Sequence, residues 1–120
     1  MDIGSLGKAK VICKFLEEDY DVFTELDGKS PFDLVVHKNN VLSRVEIKTT
    51  ETRNKNDTGW SVQIKKVRPN KTGNKIVNFS PEQCDILAVY IRPIDKVVLI
   101  NSLEVKTKSE LLILDKVLEG

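Results

Sequence analysis

The chain has 120 residues, of which 40% are hydrophobic and 31% are charged, and its formal net charge is +1. This length and composition are typical of one globular unit, so we expect a single domain over residues 1–120. No apolar run approaches the length of a membrane span and the N-terminus is not a signal peptide, which predicts a cytoplasmic protein without a membrane partner.

The first half of the chain predicts one helix followed by three strands. Apolar residues at three- and four-residue steps predict an amphipathic helix over 7–19. The tripeptide 38–40, Lys-Asn-Asn, predicts a hairpin turn between the second and third strands. In the third strand Val45 and Ile47 share the face that would pack on the helix layer. The predicted strands are 22–26, 32–37 and 41–50.

The second half of the chain predicts mainly strands and short turns. The run Ser-Pro-Glu-Gln at 80–83 predicts a brief helix with a serine cap and proline at its first position. The continuous apolar run 86–91 predicts a central strand that is covered on both faces. Ser109 could cap a final helix, and a strand over 111–114 is the alternative. The other predictions are polar loops at 51–59 and 68–75 and strands at 60–65, 76–79 and 97–100.

This order of elements predicts an α/β fold with a central mixed sheet flanked by helices. Two cysteines, Cys13 and Cys84, are isolated and lack the Cys-x-x-Cys spacing. We expect two buried reduced thiols, and a disulfide is the alternative.

Charged residues lie in the two strands of the predicted hairpin, where a buried strand would carry apolar ones. Asp33 opens the first strand, and Glu46 and Lys48 project to one face of the second because they are two residues apart. Antiparallel pairing would bring Asp33 close to Glu46. Two carboxylates and an ammonium that converge on a sheet indicate a metal site with a cationic side chain beside it. Such charges are costly to keep for structure alone, because unpaired charges are expensive to desolvate.

Each of these residues also has a structural interpretation when it is taken alone. Glu46 and Lys48 could form an exposed pair worth roughly 0–1 kcal/mol. Asp33 could be a turn residue after Pro31. The joint pattern favours the metal–phosphate site.

The spacing Asp-x12-Glu-x-Lys, with Pro31 two residues before the aspartate, resembles the motif of the PD-(D/E)XK nuclease superfamily. Within it, the chain resembles archaeal Holliday-junction resolvases and small phage- or intron-encoded endonucleases. Gly4-Ser-Leu-Gly7 at the start of a first helix fits this resemblance. The resemblance implies a restriction-endonuclease-like fold and a Mg²⁺-dependent endonuclease, with Mn²⁺ able to substitute.

The resemblance also implies a role for each motif residue. Asp33 and Glu46 would hold Mg²⁺, and the main-chain carbonyl of Ile47 would be a third ligand. Lys48 would orient or deprotonate the attacking water and stabilise the charge that develops on the phosphate.

One position departs from the pattern of these nucleases. Related enzymes commonly carry a glutamate in the first helix, soon after the Gly-x-x-Gly turn, where this chain has Lys8. The third carboxylate would then be missing, supplied by Glu25 or replaced by water. A lysine at that place could instead contact phosphate, which suits a DNA-binding module that does not cleave.

Basic residues are concentrated beside the motif. Residues 48–75 include eight basic and two acidic residues and so carry a net charge of +6. The rest of the chain therefore carries −5. Such a surface suits a polyanion, whereas the alternative is a solvated loop and a charged strand face. The residues expected to contact DNA are Lys8, Thr49, Arg53, Lys55, Gln63, Lys65, Lys66, Arg68 and Lys71.

These patterns together predict a Mg²⁺-dependent DNA endonuclease that acts on double-stranded or branched DNA. A homodimer or higher homo-oligomer is expected, because cutting both strands needs two sites related by symmetry. A Holliday-junction resolvase is favoured, since the chain lacks an appended recognition domain. The alternatives are a sequence-specific homing or restriction-type endonuclease and a non-catalytic nucleic-acid-binding module on the same fold.

Overall fold

A computed structural model of the chain describes residues 2–30, 32–70 and 73–119, apart from the side chains of 67–70 and 74. Its helices are α1 (Ile3–Glu17) and α2 (Asp115–Glu119), and three short 3₁₀ turns lie at Pro81–Gln83, Arg92–Ile94 and Ser102–Glu104. Its strands are β1 (Asp21–Thr24), β2 (Leu34–Lys38), β3 (Val41–Thr50), β4 (Thr52–Arg53), β5 (Gly59–Gln63), β6 (Lys66–Asn70), β7 (Gly73–Val77), β8 (Ile86–Ile91), β9 (Lys96–Asn101) and β10 (Glu110–Leu114).

The central sheet has five strands in the order β1-β2-β3-β8-β9. β3 runs parallel to β8, and the other neighbours are antiparallel. Asn39 and Asn40 form the turn between β2 and β3 with φ angles of 53° and 64°, a conformation that asparagine tolerates. The predicted α/β class with a central mixed sheet is confirmed, and so are the predicted hairpin and the bounds of β3 and β8.

Helix α1 covers one face of the central sheet. Val11 and Phe15 of α1 are buried in a cluster with residues of β2, β3 and β8. The helix begins earlier than predicted, at Ile3 instead of residue 7, because the Asp2 side chain accepts a hydrogen bond from the Gly4 N–H at 3.1 Å. At Gly7 the helix approaches β3 so closely that a β-carbon would overlap Thr49 Oγ1.

The opposite face of β8 is covered by a second sheet with the order β10-β5-β4. Trp60 and Val62 of β5 and Ile113 of β10 are buried against Leu87 and Val89 of β8. The predicted final helix from residue 109 is wrong, and the alternative strand is confirmed, since β10 pairs antiparallel with the whole of β5. Only α2, five residues long, follows it.

Strands β6 and β7 form a separate two-stranded hairpin, which we call the basic hairpin. The predicted loop at 68–75 is therefore wrong over its described residues, because ladder pairs such as Arg68 with Lys75 satisfy its backbone. The loop predicted at 51–59 contains β4 and a turn held by Asn54 Oδ1, which accepts hydrogen bonds from the N–H groups of Thr58 and Gly59 at 2.8 and 3.0 Å.

The two cysteines have different environments. Cys84 is buried and Cys13 is exposed on α1, so the prediction of two buried thiols is wrong for Cys13. Both are free thiols. Among the residues that the structure describes, no helix is long and apolar enough to cross a membrane.

Candidate active site

The β2–β3 hairpin positions the first candidate ligand. Asp33 directly precedes β2, and its N–H donates to the carbonyl of Val45 at 2.8 Å. Its carboxylate accepts a hydrogen bond from the N–H of Ile47 at 2.7 Å. The pairing of β2 with β3 ends at Leu34 and Val45, and these two hydrogen bonds place Asp33 beside β3 beyond that pair. The hairpin holds the Asp33 carboxylate against the peptide that follows Glu46.

Glu46 is the most deeply buried charged residue of this hairpin. Its side chain points away from α1, towards the second sheet, and is 2% exposed. In the described part of the chain, neither of its carboxylate oxygens accepts a hydrogen bond. Its Oε1 instead forms an ion pair with the ammonium of Lys66, which is 22% exposed. A buried carboxylate with one unpartnered oxygen is unfavourable unless a cation supplies the missing interaction.

Lys48 lies on the same face of β3, two residues beyond Glu46. It is half-buried and stands opposite Val89 of β8. The side chain of Ile47 points the other way and packs with the α1 cluster. The strand thus presents a carboxylate and an ammonium on one face and an apolar anchor on the other, as the alternation in the sequence predicts.

The arrangement fits a small divalent cation with few protein ligands. Mg²⁺ is usually held by one or two carboxylates, with water and phosphate oxygens completing its coordination. Within residues 2–30, 32–70 and 73–119, no group of three or more His, Cys, Asp or Glu side chains gathers at any place. Glu25 is therefore not gathered with Asp33 and Glu46 in the described residues; its carboxylate accepts a hydrogen bond from the Ser30 N–H at 2.7 Å, and Lys8 is exposed on α1.

Three of the residues expected to contact DNA come together beside the carboxyl end of β3. Thr49, Gln63 and Lys65 line an open cleft of about 500 Å³, and so do Glu51 and Glu110. Thr50 closes the inner side of this end of the strand, because its hydroxyl donates to the carbonyl of Ser61 at 2.5 Å. The cleft begins one residue after Lys48.

The other expected DNA contacts are distributed differently. Arg53 donates hydrogen bonds to Asp115 at 2.7 and 2.8 Å and to Asp57 at 2.8 Å, and its guanidinium lies 4.7 Å from the centre of the Trp60 ring. Lys55 is exposed in the turn between β4 and β5. Lys66 pairs with Glu46, the side chain of Arg68 is outside the described atoms, and Lys71 is outside the described residues.

Two neighbours of the candidate site were not predicted. Arg44 in β3 donates two side-chain hydrogen bonds to Asp85, at 3.1 and 3.2 Å, and its N–H donates a third at 2.7 Å. These bonds lower the pKa of Asp85. They also join the residue before β8 to β3, at the position two residues before Glu46. No residue next to Arg44 or Asp85 in the sequence indicates this contact.

Cys84 is the second unpredicted neighbour. Burial, with a smaller contribution from the nearby Glu46 carboxylate, raises the pKa of the Cys84 thiol to about 11. Cys84 therefore stays a neutral thiol at physiological pH and packs as a small apolar group beside the carboxylate.

Comparisons with known proteins identify the family and the fold. Residues 1–116 match the model of a family described as PD-(D/E)XK endonuclease. A solved structure of a bacterial homing endonuclease, I-Ssp6803I, is similar with a TM-score of 0.79 and 16% identity, over 94% of this chain and 76% of that chain. At this identity the likeness shows a shared fold. No curated protein matches the chain. Because the family model covers nearly every residue, the chain belongs to the PD-(D/E)XK endonuclease family.

Proposed function

We propose that the protein is a Mg²⁺-dependent DNA endonuclease that hydrolyses phosphodiester bonds at Asp33, Glu46 and Lys48. The observation that carries the proposal is the buried Glu46 carboxylate, which has one oxygen without a partner among the described residues, next to the Ile47 N–H that donates to Asp33. A structural carboxylate in this position would be expected to have both oxygens satisfied. The family of the chain favours the same chemistry.

The proposed roles of the residues are those that the family resemblance implies. Asp33, Glu46 and the main-chain carbonyl of Ile47 would hold Mg²⁺ or Mn²⁺. The bound ion supplies an activated water and neutralises charge on the phosphate. Lys48 would orient the attacking water or, as the neutral amine, deprotonate it, and its ammonium would stabilise negative charge on the phosphoryl oxygens. The hydrogen bond from Ile47 to Asp33 keeps the carboxylate in place before substrate arrives.

DNA would approach along the cleft at the carboxyl end of β3. Lys65 and Thr49 line this cleft and are suited to phosphate contacts, and Gln63 is suited to a base edge. Lys8 follows Gly7, where α1 meets β3, and would contact phosphate on the α1 side of the cleft. The cytoplasm remains the proposed location.

The form of the DNA distinguishes two versions of the proposal. The sequence favours a junction resolvase because it lacks an appended recognition domain. We propose that the basic hairpin serves as a recognition element instead, since it forms a sheet of its own and a two-stranded ribbon fits the major groove. We therefore place sequence-specific cleavage of linear duplex first and cleavage of branched DNA second. A bacterial homing endonuclease of the same fold favours this order.

We further propose that two copies act together as a homodimer or within a larger homo-oligomer. The spacing Asp-x12-Glu-x-Lys occurs once in the sequence, and a duplex has two strands to cut.

Cleavage of labelled DNA tests the proposal. A four-way junction and a pool of long linear duplexes would be incubated with the parent protein and Mg²⁺ or Mn²⁺. We expect metal-dependent products from the parent, and none from Asp33→Asn or Lys48→Met. Glu104→Gln and Lys108→Met remove the same charges at exposed positions and should cut like the parent.

The pattern of products also distinguishes sequence-specific cleavage of linear duplex from cleavage of branched DNA. Discrete fragments from the duplex pool support sequence-specific cleavage, and preferential cutting of the junction supports a resolvase. DNA binding without cutting in either metal would contradict the enzyme and leave a binding module on the same fold.

A further inference from the structure

The ion pair between Glu46 and Lys66 joins the candidate metal site to the basic hairpin. Lys66 is the first residue of β6 and pairs in the ladder with Val77 at the end of β7. Its ammonium reaches inward to Oε1 of Glu46, and its side chain is 22% exposed whereas that of Glu46 is 2% exposed. A residue expected only to contact phosphate thus neutralises the carboxylate expected to hold the cation.

The hairpin base has anchors that do not depend on this ion pair. The N–H groups of Ile64 and Lys65 donate to the carbonyl of Ser109 at 2.9 and 3.3 Å. The N–H of Phe79, beyond β7, donates to the carbonyl of Lys108 at 2.7 Å. The Lys66 side chain can therefore move away from Glu46 while the backbone of the hairpin base stays attached to the segment just before β10.

Lys66 and a divalent cation would compete for the same carboxylate. Both carry positive charge, and two cations that share one buried carboxylate repel each other strongly where the dielectric is low. The Glu46 oxygen that has no ion pair is too close to the ammonium to bind a second cation without that repulsion.

We propose that Lys66 is a positioning residue that occupies the cation site in the metal-free protein and is released when metal binds. This inference rests on the proposed function, because it takes Glu46 as a metal ligand. The released ammonium lies at the base of the basic hairpin, next to Lys65, where a DNA phosphate can receive it. By linkage, phosphate that holds Lys66 away from Glu46 strengthens metal binding, and metal strengthens DNA binding by the same factor.

Titration with Mn²⁺ without DNA tests the competition. The loss of the free Mn²⁺ signal in electron paramagnetic resonance reports binding and does not depend on cleavage. We expect Lys66→Met to bind Mn²⁺ about tenfold more tightly than the parent, or better. Lys66→Arg keeps the charge and should bind like the parent. Lys65→Met removes the same charge one residue away and should change the affinity by less than about twofold.

Two further variants make the outcome specific to Glu46. Adding Glu46→Gln to Lys66→Met should abolish the gain in Mn²⁺ affinity. Heating each protein with and without Mn²⁺ shows whether Lys66→Met is folded, and Mn²⁺ should raise its Tm more than that of the parent. Unchanged or weaker Mn²⁺ binding by Lys66→Met, or a gain that survives Glu46→Gln, would overturn the inference.

Failure of this inference is distinguishable from failure of the proposed function. If the parent cuts DNA with metal but Lys66→Met gains no affinity, the inference falls and the nuclease stands. If Lys66→Met gains affinity at Glu46 but the parent cuts no DNA, the competition stands and the enzymatic proposal falls.

Discussion

Two groups of charged residues near the second sheet differ in how completely they are satisfied. Arg53 donates hydrogen bonds to both Asp57 and Asp115 and lies over the face of Trp60. Glu46 is more deeply buried, yet one of its oxygens has no partner in the described residues and the other has an ion pair with Lys66. Charged side chains that have all their hydrogen-bond partners form a structural cluster, whereas a buried charge that lacks partners indicates a ligand site.

The largest expected effect separates activity from stability at Glu46. Glu46→Gln should reduce metal-dependent DNA cleavage by at least about 10³-fold, because a ligand charge is lost. The Tm of the metal-free protein should change little, because the loss of a buried charge offsets the loss of the ion pair with Lys66, whose ammonium is partly exposed. Cleavage rates and thermal unfolding would be measured beside Glu104→Gln. A large fall in Tm with residual cleavage would make Glu46 a structural residue.

A packing change away from both charged groups sets the scale for stability. Gly7→Ala should lower the free energy of unfolding by about 1–3 kcal/mol, because its β-carbon would overlap Thr49 Oγ1. Gly4→Ala is the matched control, since its β-carbon would lie 3.6 Å from the nearest atom of Asp2. Urea unfolding of that variant should show no loss or a gain of a few tenths of a kcal/mol. Equal losses in both variants would contradict the close approach of α1 to β3.

The Arg53 cluster should affect stability more than an isolated surface arginine does. Arg53→Met should lower the Tm by about 3–6 °C, because Asp57 and Asp115 both lose their partner. Arg92→Met is the control, since Arg92 has a single contact with Glu51 at 3.7 Å and should change the Tm by less than about 2 °C. If both variants unfold alike but only Arg53→Met loses DNA binding, Arg53 is a DNA contact as the sequence predicted.

The smallest expected effect is a pH dependence at Arg44 and Asp85. Hydrogen bonds from Arg44 lower the pKa of Asp85 below its ordinary value of 3.8 in the folded protein. The pair therefore contributes its stability above pH 3.8 and loses it as the pH falls through the lowered pKa. The difference in urea midpoint between the parent and Arg44→Met should be larger at pH 7 than at pH 3. An equal difference at both values would assign the effect of Arg44 to packing.

Local patterns were sufficient for the elements whose signals lie within a few residues. The asparagine pair at the turn and the alternation in β3 gave the hairpin, and the apolar run 86–91 gave β8. The apolar run 111–114 is too short to distinguish a helix from a strand, and pairing with β5 decided in favour of β10. The basic hairpin contains Pro69 and a glycine, Gly73, which local rules assign to loops.

The candidate site was predictable in its residues and not in its contacts. Asp33, Glu46 and Lys48 followed from spacing, and their roles remain predictions. The pairing of Glu46 with Lys66 joins residues that are twenty positions apart, and it depends on how the second sheet and the basic hairpin pack on β3. No periodicity in the sequence reports such packing.

Crystals of the protein soaked in Mn²⁺ would locate the cation by anomalous scattering. We expect a single strong peak within coordination distance of the Asp33 and Glu46 carboxylates, with the Lys66 ammonium moved away from Glu46. A peak only at other residues would contradict the assignment of this site as the metal centre. So would the absence of a peak at the β2–β3 hairpin while the Lys66 ammonium stays on Glu46.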